Sequence, residues 1–187
     1  MDHRAWLAVG AIAALALVLR LGYLIVLYRD GYVWPDVDRY LANGASLVAS
    51  GRFRWTFDAV AYAWGGRVYA LPPLYSLYLA PFAAFPASYP FNALVGLAVL
   101  NAAMIPVIAA LGSRLHSART GLVAALLYAC WGADIAAFAA IRQEALYIPL
   151  VIVASYALVR AKTRVASFRR SSRVVSPVPL ICAATSG

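Results

Sequence analysis

The chain has 187 residues, is 64% hydrophobic and 12% charged, and carries a formal net charge of +9. A soluble domain has about half its residues apolar and about a quarter charged, so this composition excludes an ordinary soluble domain and points to the membrane. The basic excess, 15 Arg and one Lys, forms no stripe interleaved with aromatics, which excludes a nucleic-acid surface and fits positive charge held beside membrane spans.

The first apolar segment runs from Ala5 to Tyr28, about 24 residues and enough to cross a hydrocarbon core of about 30 Å. It is too long for the apolar core of a signal peptide, and Leu24-Ile25-Val26-Leu27 is a poor cleavage site, so it is read as a retained anchor. Arg20 lies inside it, where an arginine either snorkels or pairs with an anionic group.

Residues 29–90 read as a long outer loop with tryptophans and tyrosines suited to a membrane interface. Within it Val37, Tyr40, Leu41, Gly44 and Leu47 follow one helical face, which predicts a surface helix over 37–50, begun at Pro35-Asp36 and ended by Gly51. The stretch from Leu74 to Phe85 is short for a span and carries Pro81, so an interfacial or re-entrant helix is expected there.

Three further spans are expected over Phe91–Gly112, Thr120–Ala140 and Ala145–Val159. Arg4, Arg114, Arg119, Arg160, Lys162 and Arg164 then fall on one side, read as cytoplasmic, and the long loop and the Arg142–Glu144 turn fall outside. Counting Leu74–Phe85 as a fifth span breaks this parity. The expected fold is an all-α integral membrane protein of about four transmembrane helices with interfacial helices in the first outer loop. Its divisions are 1–28, 29–90, 91–162 and a basic, irregular tail over 163–187, read as disordered or as the mark of a truncated or frame-shifted product.

The chemistry-bearing candidate is Trp34-Pro35-Asp36-Val37-Asp38-Arg39-Tyr40. A helix starting near Val37 leaves Asp36 at its N-terminus, where the dipole favours the ionised form. Such a carboxylate can take a proton from an acceptor hydroxyl or amine, hold a divalent cation near a phosphate, or simply cap the helix. Asp38 fits a direct role or a salt bridge to a loop arginine equally well. Pro72-Pro73-Leu74-Tyr75 gives an extended lead into the interfacial helix. Glu144 is either paired with Arg142 or a second site carboxylate. Asp134 lies near the outer end of the third span, about 15 Å along an unbroken helix from Glu144, on an interior face or at the interface. The two cysteines, Cys130 and Cys182, have no metal-ligand spacing, and His3 and His116 are isolated.

In this order the pieces resemble the GT-C class of membrane glycosyltransferases, and most of all the family of protein O-mannosyltransferases and lipid A aminoarabinose transferases. The likeness rests on Arg20-Leu21-Gly22-Tyr23 in the first span, the D-x-x-x-Y pattern from Asp36 to Tyr40, Pro72 to Tyr75 continuing into Leu77-Tyr78-Leu79-Ala80-Pro81-Phe82, and Glu144-Ala145-Leu146-Tyr147. It covers residues 5 to about 162. Relatives often carry a basic residue where Leu71 stands, and the class has more spans than the four expected here. The resemblance implies transfer of a sugar from a polyprenyl-phosphate donor to an acceptor on the outer face of a bacterial-type inner membrane, with Asp36 as the catalytic carboxylate. Arg20, Asp38, Tyr40, Arg67, Tyr75 and Glu144 would lie around the substrates, with Arg67, Arg52 or Arg54 standing in for the missing basic residue. The competing expectation is a non-catalytic four-span protein that binds a lipid or a partner subunit. A transporter fragment ranks last, because only Arg20 and Asn101 are obvious mid-span polar residues.

Overall fold

A computed structural model describes residues 2–29, 37–52, 73–85, 87–139 and 142–173. Asp36, Arg54, Arg67, Leu71, Pro72 and Cys182 lie outside the described residues. The elements are α1 (His3–Arg29), α2 (Val37–Ser50), α3 (Pro73–Ala83), α4 (Phe91–Ala102), α5 (Met104–Leu115), α6 (Ala118–Ala129), α7 (Gly132–Ala139) and α8 (Glu144–Arg173). The chain is an all-α integral membrane protein. Among the described residues three helical stretches are long and apolar enough to span: His3–Leu27, Phe91–Leu115 and Glu144–Lys162.

At the start of α1 the Asp2 carboxylate accepts from the Ala5 amide at 2.8 Å, capping the first turn. The helix then runs without a break, because no proline or polar pair interrupts it. The second span is interrupted between α4 and α5 at Ala103, where the backbone stays near helical (φ −66°, ψ −14°). Pro106 explains the interruption: it has no N–H for the Ala102 carbonyl, and its ring crowds that turn.

The expected third span is divided. Its place is taken by α6 and α7, separated by Cys130 and Trp131. The expected end of the fourth span at Val159 is also passed, since α8 continues as helix to Arg173. Pro81 sits inside the last turn of α3 rather than breaking it; the helix ends two residues later at Ala83. At 11 residues α3 is too short to cross a bilayer, in line with an interfacial element. The α2 bounds and the closing Gly51, at φ +65°, agree with the periodicity of the sequence.

Successive long elements alternate in direction. Leu24 packs in one cluster with Leu94 and Leu97, while Val9 and Ala16 pack in another with Ala102, Ile105 and Ala109. The first cluster also holds Tyr40, Tyr75, Ala145 and Leu146, so α2, α3 and the start of α8 close one end of the bundle. The second is built largely of alanine, and small residues let helices approach closely in lipid. The closest approach is the α5–α6 hairpin. A Cβ on Gly112 would stand 2.7 Å from the Gly121 Cα, so only glycine fits. Ser117 caps α6 through the Thr120 amide at 3.2 Å and sets the angle of this turn.

Candidate functional site at the loop end of the bundle

Between the two apolar clusters lies a layer of buried polar side chains. Arg20 and Asp134 are both fully buried and form an ion pair. The break between α6 and α7 makes this pair possible. Ending α6 at Ala129 leaves that carbonyl without its usual helical partner, and Arg20 Nη1 donates to it at 3.4 Å. Arg20 Nη1 also donates to the Ala16 carbonyl at 3.3 Å, and the guanidinium stacks over the Tyr128 ring at 5.3 Å. Asp134 stands in the first turn of α7, where the helix dipole favours a negative charge. One cation thus bridges the negative end of one half-helix and a carboxylate at the positive end of the next.

The layer extends sideways. The Tyr128 hydroxyl donates to Asn101 Oδ1 at 2.8 Å, and Asn101 Nδ2 donates to the carbonyls of Leu97 (2.9 Å) and Ala145 (3.1 Å). Thus α1, α4, α6, α7 and α8 are tied together at mid-bundle by groups that lipid cannot satisfy. Both mid-span residues singled out in the sequence, Arg20 and Asn101, belong to this layer. Its other members, Asp134 as the partner of Arg20 and Tyr128 as the link, were not anticipated. A charge count would have suggested the pair, since Arg20 and Asp134 are the two ionisable residues set deep within apolar segments.

Beyond this layer, α2, α3 and α8 meet. Tyr40 on α2 donates to Gln143 Oε1 at 3.3 Å, just before α8. Its ring meets Tyr75 edge-to-face at 5.1 Å. Tyr75 in turn stacks with Tyr78 at 6.2 Å, and Tyr78 donates to the Ala93 carbonyl at 2.9 Å. Tyr89 donates to the Leu41 carbonyl at 3.1 Å and so fastens α2 to the α3–α4 corner.

The Tyr75 hydroxyl is fully buried and has no hydrogen-bond partner among the described residues. Ser76 Oγ and Asn43 Oδ1, on the same pair of packed helices, are buried and unpartnered in the same way. Burial pushes the Tyr75 hydroxyl well above the usual tyrosine range. The neighbouring Tyr78, Tyr40 and Tyr89 hydroxyls and the Glu144 carboxylate add to this. The group therefore stays a neutral O–H donor. Burial likewise pushes Tyr89 up to about 12. Buried polar groups left unpaired are rare and call for an explanation.

Of the residues singled out in the sequence, Tyr40, Tyr75 and Glu144 come together at this end, with Glu144 exposed in the first turn of α8. Asp38 lies in the first turn of α2. Arg20 lies at the depth of the polar layer, engaged by Asp134. Asp36 and Arg67 fall outside the described residues. Gln143, Asn43 and Ser76 are additions that no sequence motif marked. Among the described residues no group of three His, Cys, Asp or Glu is placed to hold a metal ion. What this end offers is two buried hydroxyls, those of Tyr75 and Ser76, without partners among the described residues, and the exposed Glu144 carboxylate at the start of α8. Comparison of the chain with protein families, with curated proteins and with solved structures gives no match.

Proposed function

We propose that these residues form the acidic-loop part of a GT-C-type glycosyltransferase that uses a polyprenyl-phosphate-linked sugar and acts at the outer face of the membrane. The observation that carries this reading is the convergence of Tyr40, Tyr75 and Glu144. These residues come from three separate motifs: the Tyr40 and Tyr75 rings touch, the exposed Glu144 begins α8 at the same end, and the buried Tyr75 hydroxyl has no hydrogen-bond partner among the described residues.

In this mechanism the donor's lipid chain stays in the bilayer and its sugar-phosphate head reaches the α2–α3–α8 end. Asp36, leading α2, takes the proton from the acceptor O–H or N–H. The freed lone pair attacks the anomeric carbon, the bond from that carbon to the phosphate oxygen breaks, and polyprenyl phosphate leaves with the bonding electrons. Tyr75, held neutral, donates a hydrogen bond to an oxygen of the sugar-phosphate head. A divalent cation beside Asp36 would offset the charge developing on the leaving phosphate.

Membranes holding the full chain, supplied with radiolabelled polyprenyl-phosphate mannose or aminoarabinose, test this reading. Asp36→Asn is expected to lower transfer by about 10²–10⁴-fold, the contribution of a positioned base, with equal amounts of protein in the membrane. Undiminished transfer removes Asp36 from the chemistry. The second reading, a non-catalytic protein that binds a lipid or a partner subunit, is favoured by the engagement of Arg20 with Asp134, which keeps that cation from a phosphate. It predicts no transfer from either donor.

A further inference from the structure

At the opposite end of the bundle, α1, α5, α6 and α8 enclose a partly open cavity of about 440 Å³, lined by Trp6, Ala110, Ser113, Arg114, Ala118 and Tyr156. The wall is of two kinds. Trp6 is 47% exposed and Ala110 and Ala118 are apolar, whereas Arg114 brings a guanidinium and Ser113 a hydroxyl. The Arg114 guanidinium stacks on the Tyr156 ring at 5.0 Å and forms no ion pair among the described residues. Stacking fixes the plane of the guanidinium and leaves its N–H groups to an acceptor at the ring edge.

The charge around the cavity is one-sided. Arg4 lies near the start of α1, and on α8 Arg160 lies about one turn and Lys162 nearly two turns beyond Tyr156, so the basic residues of these helices fall at this end. The carboxylate described at this end, Asp2, already accepts from the Ala5 amide. The cavity also sits where three candidate spans end, at His3, Leu115 and Lys162, and Trp and Tyr at span ends mark the headgroup level of a bilayer. A basic, aromatic-walled gap between spans at that depth suits a headgroup phosphate with its glycerol and acyl chains lying outward over apolar wall.

We infer that this cavity is a binding site for one anionic phospholipid of the adjacent leaflet, its phosphate held by Arg114 and its glycerol region packed on Trp6. The site is separate from the Tyr75 end and does not depend on the glycosyltransferase reading. Both headgroups carry the phosphate that Arg114 holds; the basic surroundings disfavour the choline cation of a zwitterionic headgroup and so give selectivity for an anionic one, while the Tyr156 ring keeps the arginine in place.

The test is native mass spectrometry of the full chain in neutral detergent, titrated with dioleoylphosphatidylglycerol and, separately, with dioleoylphosphatidylcholine. The expected result is one retained phosphatidylglycerol with preference over phosphatidylcholine. Arg114→Gln is expected to weaken that binding about tenfold, the loss of one hydrogen bond to a charged group. Arg119→Gln, which removes an equal charge off the cavity, is expected to change it by no more than about twofold. If Arg114→Gln does not fold, Trp6→Leu takes its place, since it preserves an apolar span and removes the glycerol wall. Equal losses for Arg114 and Arg119 would reduce the effect to surface charge and overturn the site. Equal binding of both lipids would overturn it too. Displacement of the lipid by millimolar inorganic phosphate would show a free-anion site instead.

Discussion

Asp134→Ala is expected to destabilise the folded chain by about 3–5 kcal/mol, because it leaves Arg20 charged and buried without its counter-ion. Arg20→Ala is expected to do the same from the other side. It also frees the Ala129 carbonyl at the end of α6, so the break between α6 and α7 loses the group that satisfies it. Replacing both at once, as Arg20→Met with Asp134→Leu, is expected to recover most of the loss, since a buried pair exchanged for apolar residues of similar volume is often neutral or better. Unfolding by a denaturing detergent, followed by circular dichroism, measures all three. Large losses in both single variants and recovery in the double variant identify the pair as a unit. Two small, additive losses would mean that water reaches these residues and that the polar layer is not sealed.

The second large effect lies in the α5–α6 hairpin. Gly121→Ala places a methyl group against the Ala109 carbonyl oxygen and 3.0 Å from the Ser113 amide nitrogen, both backbone atoms that cannot swing aside. The expected cost is about 3 kcal/mol, the upper part of the range for overpacking, and more for Gly121→Val. Gly10→Ala is the matched control. Its Cβ meets nothing within 4 Å, and alanine is the better helix former by about 1 kcal/mol, so that variant is expected to be as stable as the parent or slightly more so. Melting in mild detergent separates the two. A Gly121→Ala protein that melts with the parent would mean that α5 and α6 are not in contact at this glycine.

Some of this architecture is legible in the chain and some is not, for physical reasons. The bounds of α2 follow from one apolar face, Val37, Tyr40, Leu41, Gly44 and Leu47, with a glycine free to take positive φ just beyond it. The short α3 follows from its length and its leading prolines. The division of α6 from α7 does not follow. Apart from Thr120 and Asp134, residues 120–140 are apolar or small and contain no proline, so local sequence gives little to distinguish one helix from two. Its origin is tertiary: Arg20, more than a hundred positions away, holds a carbonyl on one side of the break and a carboxylate on the other. Along the chain the carboxylate next after Asp134 is Glu144, whereas its partner, Arg20, lies across the bundle. The cluster of Tyr40 and Tyr75 was visible as two motifs, but Gln143, Asn43 and Ser76 carry no periodic or motif signal. They become notable only through burial and through the partners they have or lack.

The α2–α3–α8 end is proposed to receive the sugar-phosphate head of a lipid-linked donor, and Tyr75 offers the most direct test of it. The measurement is the affinity of the purified full chain for a short-chain polyprenyl-phosphate mannose, compared between the parent and Tyr75→Phe, with melting recorded on the same samples. Removing a buried hydroxyl that has no partner among the described residues should leave stability unchanged or slightly raised. Removing a hydrogen bond to a charged phosphate should weaken donor binding about tenfold. That split, weaker binding with an intact fold, is the predicted result. Equal affinity in the two proteins, or no binding by the parent, would contradict the account and leave Tyr75 as a packing residue of the bundle.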